Sequence, residues 1–188
     1  LPGDRLSEAE TVAEHSDVVV LVTGLNENLE GEEMDQSNSV GSGDKANLLL
    51  PAPQRKLMEI VAKTGKPVIL INMTGSAMDL RFAEENFSAV VQGWYPGARG
   101  GKAIAELLFG KYSFSGKLPV TFYNDSDELP AFTDYAMENR TYRYFTGGVL
   151  YPFGYGLTYG KTEVTKAEMR DDGEHYTITA TVKNEGCA

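Results

Sequence analysis

Two short apolar runs constrain this chain more than anything else in it. "DVVVLVTG" from Asp17 to Gly24 and "KPVILINMTG" from Lys66 to Gly75 are each too short for a buried helix and are rich in β-branched residues, so each reads as a strand. Unbroken apolar runs of this kind belong to strands covered on both faces, which places "DVVVLVTG" in the middle of a sheet. Between the two runs lies "LPAPQRKLMEIVAKTG", which sets Leu57, Ile60 and Val61 on one helical face, carries prolines near its start and closes with Gly65. A strand, a crossover helix and a second strand imply a parallel pair.

The same alternation extends in both directions. Ser7 and Glu10 have capping-box spacing for a short helix ending near His15. A helical segment around 81–88 leads to the strand "SAVVQGW", and "RGGKAIAELLFG" from Arg99 to Gly110 is a further helix stopped by glycine. "GKLPVTFY" reads as a strand near a sheet edge, because Pro119 cannot donate to the ladder. The expected fold class is α/β, a doubly wound, mostly parallel sheet with helices on both faces and flavodoxin-like layering. From about Asn124 the period is lost, and an aromatic, Gly- and Pro-rich stretch is expected to wrap the sandwich as ordered coil. Tyr142, Tyr144, Tyr151, Phe153 and Tyr155 are its expected anchors, and Arg140 and Arg143 its ties to carboxylates or carbonyls. Beyond Gly160, two alternating stretches around "DDG" form a hairpin. Two strands alone are marginal, so residues 160–188 are expected to begin a β-sandwich module, and a chain that starts without Met and stops at "VKNEGCA" is expected to be a piece of a longer protein. Exposed strand edges in that tail would favour self-association.

A net charge of −10 argues against nucleic-acid and anionic-membrane partners, which require a surplus of Lys and Arg. Cys187 is the one cysteine, so no internal disulfide is available. Neither it nor the two histidines, His15 and His175, can assemble a transition-metal set. The calcium-loop pattern fails at "DQSNSVG", where Val40 stands in place of glycine. "PGARGG", "GKYSFSGKL" and "GSGDKA" miss the phosphate-loop and dinucleotide patterns or their context, and no nucleophile-elbow motif is present. No cofactor is expected, and no targeting or transmembrane segment is apparent from which to assign a compartment.

The chemistry concentrates in "LEGEEMDQ". With Glu27 this stretch gathers five acids between residues 27 and 35 without one Lys or Arg, directly after the first strand, where open α/β sheets bind their ligands. The residues alone leave two readings open: a solvated loop, or a glutamate whose proton affinity is raised by neighbouring carboxylates so that it serves as a general acid.

Taken in order, "SDVVVLVTGLNENLEGEEMD", "LLLPAPQRKLMEIV", "KPVILINMTGSAMDL", "AVVQGWYPGARGGKAIAELLFG", "SGKLPVTFY", "RTYRYF" and "LYPFGYGLTY" resemble the C-terminal α/β sandwich domain of glycoside hydrolase family 3, covering residues 1–159. The tail resembles the start of a fibronectin type III-like domain. The resemblance implies part of a retaining, exo-acting β-glycosidase, of the β-xylosidase or β-glucosidase branch, that removes terminal non-reducing sugars from oligosaccharides or aryl and alkyl glycosides. It implies that an N-terminal (β/α)₈ barrel of the same parent chain supplies the aspartate nucleophile, so that this piece alone is inactive. The family's Gly-Glu-x-x-Asp motif falls on Gly31, Glu32 and Asp35, which carries the acid/base role to Glu32, with Glu30 the alternative register and Glu33 and Asp35 in support. Gln36 departs from the arginine many members have there. The alternatives are a noncatalytic carbohydrate-binding module using the aromatic coil, and a free-standing flavodoxin-like domain.

Overall fold

The computed structural model describes residues 5–31, 45 and 47–186. The chain divides into two units, one of Leu1–Ala98 with Pro119–Phe153 and one of Arg99–Leu118 with Gly154–Ala188.

The first unit is built on a three-stranded parallel sheet of β1 (Val19–Gly24), β2 (Val68–Met73) and β3 (Ala89–Gln92), in that order. Its register runs from Val19 opposite Val68 to Gly24 opposite Met73, and from Ile69 opposite Ala89 to Asn72 opposite Gln92. The helices α1 (Leu6–Glu14), α2 (Ala52–Lys63) and α3 (Arg81–Asn86) alternate with these strands as periodicity requires. Pro51 caps α2 and Gly65 follows it at φ +69°, the left-handed position that glycine occupies without strain. Met58 and Val61 are its buried residues, and Leu57 and Val61 line one cleft with Ala13, Val19 and Leu21. The core includes Leu21, Leu50, Met58, Val61, Val68, Leu70, Ile71, Met78 and Leu80. Burying side chains of this size contributes about 1.5–3 kcal/mol each.

Four expectations change here. The described sheet runs β1-β2-β3 without the reversal of strand order that defines double winding. β1 is an edge strand, with Val20 and Val22 about half exposed on the face opposite Leu21 and Thr23. A valine run reports β propensity as much as two-sided burial, and the two are indistinguishable by pattern. "GKLPVTFY" contributes only the two-residue β4 (Phe122–Tyr123), which pairs antiparallel with β5 (Val149–Tyr151) in a separate small sheet. The Ser7 cap also fails: Arg5 precedes α1, and Ser7 lies inside it, accepting the Thr11 hydroxyl at its carbonyl, 2.9 Å.

The irregular 124–148 stretch is tied by Arg140, whose guanidinium donates to the carbonyls of Ala131 (2.8 Å) and Asp134 (2.9 Å). Of the expected aromatic anchors only Tyr151 is buried, against Phe122. Tyr142 stacks on Phe153 at 4.3 Å while both stay partly exposed, and Arg143 bonds the Tyr142 hydroxyl rather than a carboxylate or carbonyl. Within this coil Thr141–Tyr144 forms one helical turn, α5.

In the second unit α4 (Gly100–Leu108) ends at Gly110, φ +72°. Leu118 and residues 154–155 exchange backbone hydrogen bonds of 2.8 Å, and Tyr159 reaches the Leu107 carbonyl at 2.9 Å. β6 (Lys161–Asp171) and β7 (Tyr176–Glu185) pair antiparallel across the Asp-Gly turn. Val164 faces Val182 and Met169 faces Ile178, all exposed. A two-stranded hairpin does not by itself specify a fibronectin type III-like module.

Candidate functional site

The carboxyl ends of the three parallel strands converge on a polar network. Asn72, fully buried near the end of β2, donates to Gln92 Oε1 of β3 at 2.7 Å and to Thr74 Oγ1 at 3.0 Å. Gln92 returns to the Thr74 carbonyl at 3.0 Å. Thr23 of β1 approaches Asn72 Oδ1 at 3.5 Å, the limit of a hydrogen bond. Thr74 passes the network on by donating to the Ser76 carbonyl at 2.9 Å. Gly24, the last residue of β1, is held by Gln54 of α2 through a reciprocal pair, Gly24 N–H to Oε1 at 2.9 Å and Nε2 to the Gly24 carbonyl at 2.7 Å. Gly24 is obligatory: a Cβ there would lie 2.0 Å from the Met73 carbonyl oxygen.

The acidic stretch leaves this edge. Asn26 accepts the amides of Leu29 and Glu30 at its carbonyl, 2.9 Å each, which turns the chain. Glu30 is largely buried, its side chain 18% exposed, and its Oε1 accepts the Ser76 hydroxyl at 2.8 Å. Lys45 Nζ lies 3.6 Å from the same oxygen and also donates to Ser76 Oγ and to the Ala77 carbonyl, the latter at 2.8 Å. The stretch that holds five acids and no base is therefore met by a cation fifteen residues further on.

Of the sequence candidates, Glu30 lies at this edge and Glu27 is exposed, whereas Glu32, Glu33 and Asp35 fall outside the described residues. Lys45, Ser76, Gln54, Asn72 and Gln92 were not singled out by sequence. The one signal was a polar Asn72 inside an apolar strand. Near the site, Trp94 follows β3 at φ +53° and packs edge-on against Phe122, and the Tyr95 ring covers Gly75. In the loop after β2, Arg81 hydrogen bonds hold the Asp79 carboxyl below its ordinary range, with partial burial opposing them. No group of three or more His, Cys, Asp or Glu that could hold a metal occurs among the described residues, and no described helix is long and apolar enough to cross a membrane.

Residues 3–159 match the family model of the glycosyl hydrolase family 3 C-terminal domain. A xylan 1,4-β-xylosidase of Xylanibacter ruminicola is 43% identical over 94% of this chain and 21% of its own length. A periplasmic β-glucosidase of Salmonella typhimurium is 32% identical over 98% of the chain and 26% of its own. The crystal structure of a β-glucosidase from Kluyveromyces marxianus superposes with a TM-score of 0.80 at 29% identity, over 98% of this chain and 22% of that one. The chain thus spans between a fifth and about a quarter of the length of these relatives. The family match and the matched relatives agree: the chain belongs to the glycosyl hydrolase family 3 C-terminal domain family.

Proposed function

We propose that this chain is the sandwich part of a retaining, exo-acting β-glycosidase with a preference for β-xylosides, and that Glu32 is its acid/base residue. The observation that carries the proposal is where the acidic stretch starts: Glu30, two residues before Glu32, is anchored at the carboxyl edge of a parallel sheet by Ser76 and Lys45. That edge is where open α/β folds present ligand-binding residues. Glu30 Oε1 is already engaged by a hydroxyl and an ammonium, the contacts of a structural anion, and this favours Glu32 over Glu30 for proton transfer. The preference for xylose is supported by the name of the 43% identical relative.

In this reading an aspartate of an N-terminal barrel attacks the anomeric carbon while Glu32 gives its proton to the departing glycosidic oxygen. Glu32, now ionised, then takes a proton from the water that releases the sugar. Retention requires the two carboxyls to stand about 5 Å apart. Glu33 and Asp35 would raise the proton affinity of Glu32, while Lys45 offsets the charge of Glu30. Residues 1–159 form the sandwich in this proposal, residues 160–188 begin a fibronectin type III-like module, and the piece alone is inactive because it holds one of two necessary carboxyls.

The test is hydrolysis of aryl β-xylosides by the full-length enzyme carrying Glu32→Ala or Glu30→Ala, with and without azide. The expected result is loss of activity toward poor leaving groups in Glu32→Ala, with azide restoring turnover of an activated xyloside as a β-glycosyl azide in that variant alone. The same behaviour in Glu30→Ala instead would move the role to Glu30, and its absence from both would remove the domain from catalysis. A second reading, a noncatalytic carbohydrate-binding module, is favoured by Phe132 and Tyr135, 90% and 87% exposed beside the carbonyls that Arg140 holds. Tight xylose binding by this chain alone would select it.

A further inference from the structure

Lys45, Glu30 and Ser76 come from three separate points in the sequence and meet at the strand edge. Lys45 Nζ donates to Ser76 Oγ and Ala77 O and pairs with Glu30 Oε1 at 3.6 Å, and Ser76 Oγ donates to that same carboxylate oxygen at 2.8 Å. The Lys45 and Glu30 side chains are 16% and 18% exposed, so the pair is shielded from the screening that empties most surface salt bridges of value. The side facing the sheet is braced by hydrogen bonds. The Ser76 carbonyl accepts from Thr74, and Thr74 is bonded by Asn72 and Gln92 from two adjacent strands.

From this geometry we infer that Lys45, Glu30 and Ser76 are positioning residues for the acid/base step, a clasp that fixes the chain on both sides of the acid-bearing stretch relative to the sheet. The inference rests on the assignment of Glu32 above. Two residues of chain reach no further than about 7 Å, so anchoring Glu30 restricts the reach of the residue two positions on. Lys45 holds the other side of the same stretch, and both side chains bond Ser76 as well as each other. A proton donor must sit within hydrogen-bond reach of the leaving oxygen, and a displacement of about 1 Å can cost on the order of 10²-fold in rate. Two anchors on one serine, itself bonded to the strands, supply that restriction without touching substrate.

The experiment is a leaving-group series of aryl β-xylosides with the full-length enzyme, comparing Lys45→Met, Lys45→Arg, Glu30→Gln and Ser76→Ala. Cleavage of a poor leaving group needs the proton, and cleavage of 2,4-dinitrophenolate does not. Lys45→Met and Glu30→Gln are expected to lower kcat/KM for the 4-methylphenyl xyloside by on the order of 10²-fold and for the dinitrophenyl xyloside by less than about threefold. Lys45→Arg should recover most of the loss, and the Lys45→Met, Glu30→Gln double variant should be no worse than either single one. Equal losses on both substrates, additive losses, or an arginine variant as impaired as the methionine variant would overturn the clasp. Ser76→Ala, which removes one hydroxyl, gives the same test where Lys45→Met does not fold, and an unchanged leaving-group slope in it counts against the inference. Glu32→Ala with azide runs alongside: without azide rescue there the acid/base assignment itself fails, whereas rescue there together with a uniform loss in the Lys45 variants refutes only the clasp.

Discussion

Replacement of Asn72 tests whether the strand ends are held by hydrogen bonding or by packing alone. Asn72 is fully buried and makes two good bonds, 2.7 Å to Gln92 Oε1 and 3.0 Å to Thr74 Oγ1. Asn72→Ala leaves Gln92 Oε1 without this donor, at about 1–2 kcal/mol for a partly buried acceptor. Thr74 keeps its bonds to Gln92 and Ser76, so its share is about 1 kcal/mol. The vacated volume adds about 1 kcal/mol, for a total near 3–4 kcal/mol. Asn72→Leu refills the volume and keeps the polar loss, about 2–3 kcal/mol. Thr23→Val removes only the 3.5 Å contact and should cost less than about 1 kcal/mol. Amide exchange of β1, β2 and β3 peptides, read by mass spectrometry, reports these as opening free energies in whatever chain carries the unit. At tenfold per 1.4 kcal/mol, exchange in β2 and β3 should quicken by roughly 10²–10³-fold in Asn72→Ala and less than about tenfold in Thr23→Val. Wild-type exchange in Asn72→Leu, or an effect confined to β2 with β3 unchanged, would refute the network as the brace of this edge.

Further outcomes follow from single contacts. Gly24→Ala should destabilise the unit by about 2–3 kcal/mol, because its Cβ would meet the Met73 carbonyl oxygen at 2.0 Å and force β1 off β2; a thermal midpoint equal to wild type would contradict the close approach. Phe122→Ala opens a cavity between Trp94 and Tyr151 at a cost of about 3–5 kcal/mol, and since Trp94 is the only tryptophan of the chain, its fluorescence emission should move to the red. Asp79 has its folded-state proton affinity lowered, so it stabilises the fold fully above its unfolded value of about 4 and loses that contribution as pH falls through the lower folded value. Asp79→Asn should therefore be less stable than wild type at neutral pH, with the gap closing in acid titration below about pH 4; a gap that is constant with pH would remove the ion pair with Arg81 as its cause.

Periodicity made the order of strands and helices legible, because each element repeats a local rule along a few turns or residues. Gly65 and Gly110 marked two helix ends by the same local logic, and the Asp-Gly turn marked the hairpin. What was not legible was non-local. Whether β1 is central or at an edge depends on what lies beyond it, which valines do not record. Ser7 and Glu10 have the letters of a cap, yet α1 begins one residue earlier, so Ser7 is already helical. The aromatic coil looked like a set of anchors, but ring count says nothing of which side each ring faces, and Tyr151 alone went inside. At the site, the carboxylates stood out because they are adjacent in sequence. Lys45 lies fifteen residues beyond Glu30, Ser76 and Gln92 lie tens of residues away, and none belongs to a repeat, so only folding brings them together.

The pairing of Glu30 with Lys45 also bears on how such a domain can change its length. When two points of a chain are tied to one another and to a sheet, residues added between them do not alter the path on either side. The entropy of closing the enlarged segment grows only logarithmically, by about 0.6 kcal/mol for each doubling. The fifteen-residue interval from Glu30 to Lys45 is thus a place where insertions are energetically cheap and leave the strands undisturbed. Variation in that interval offers a route by which the surface at this strand edge could be recut while the scaffold beneath it stays the same.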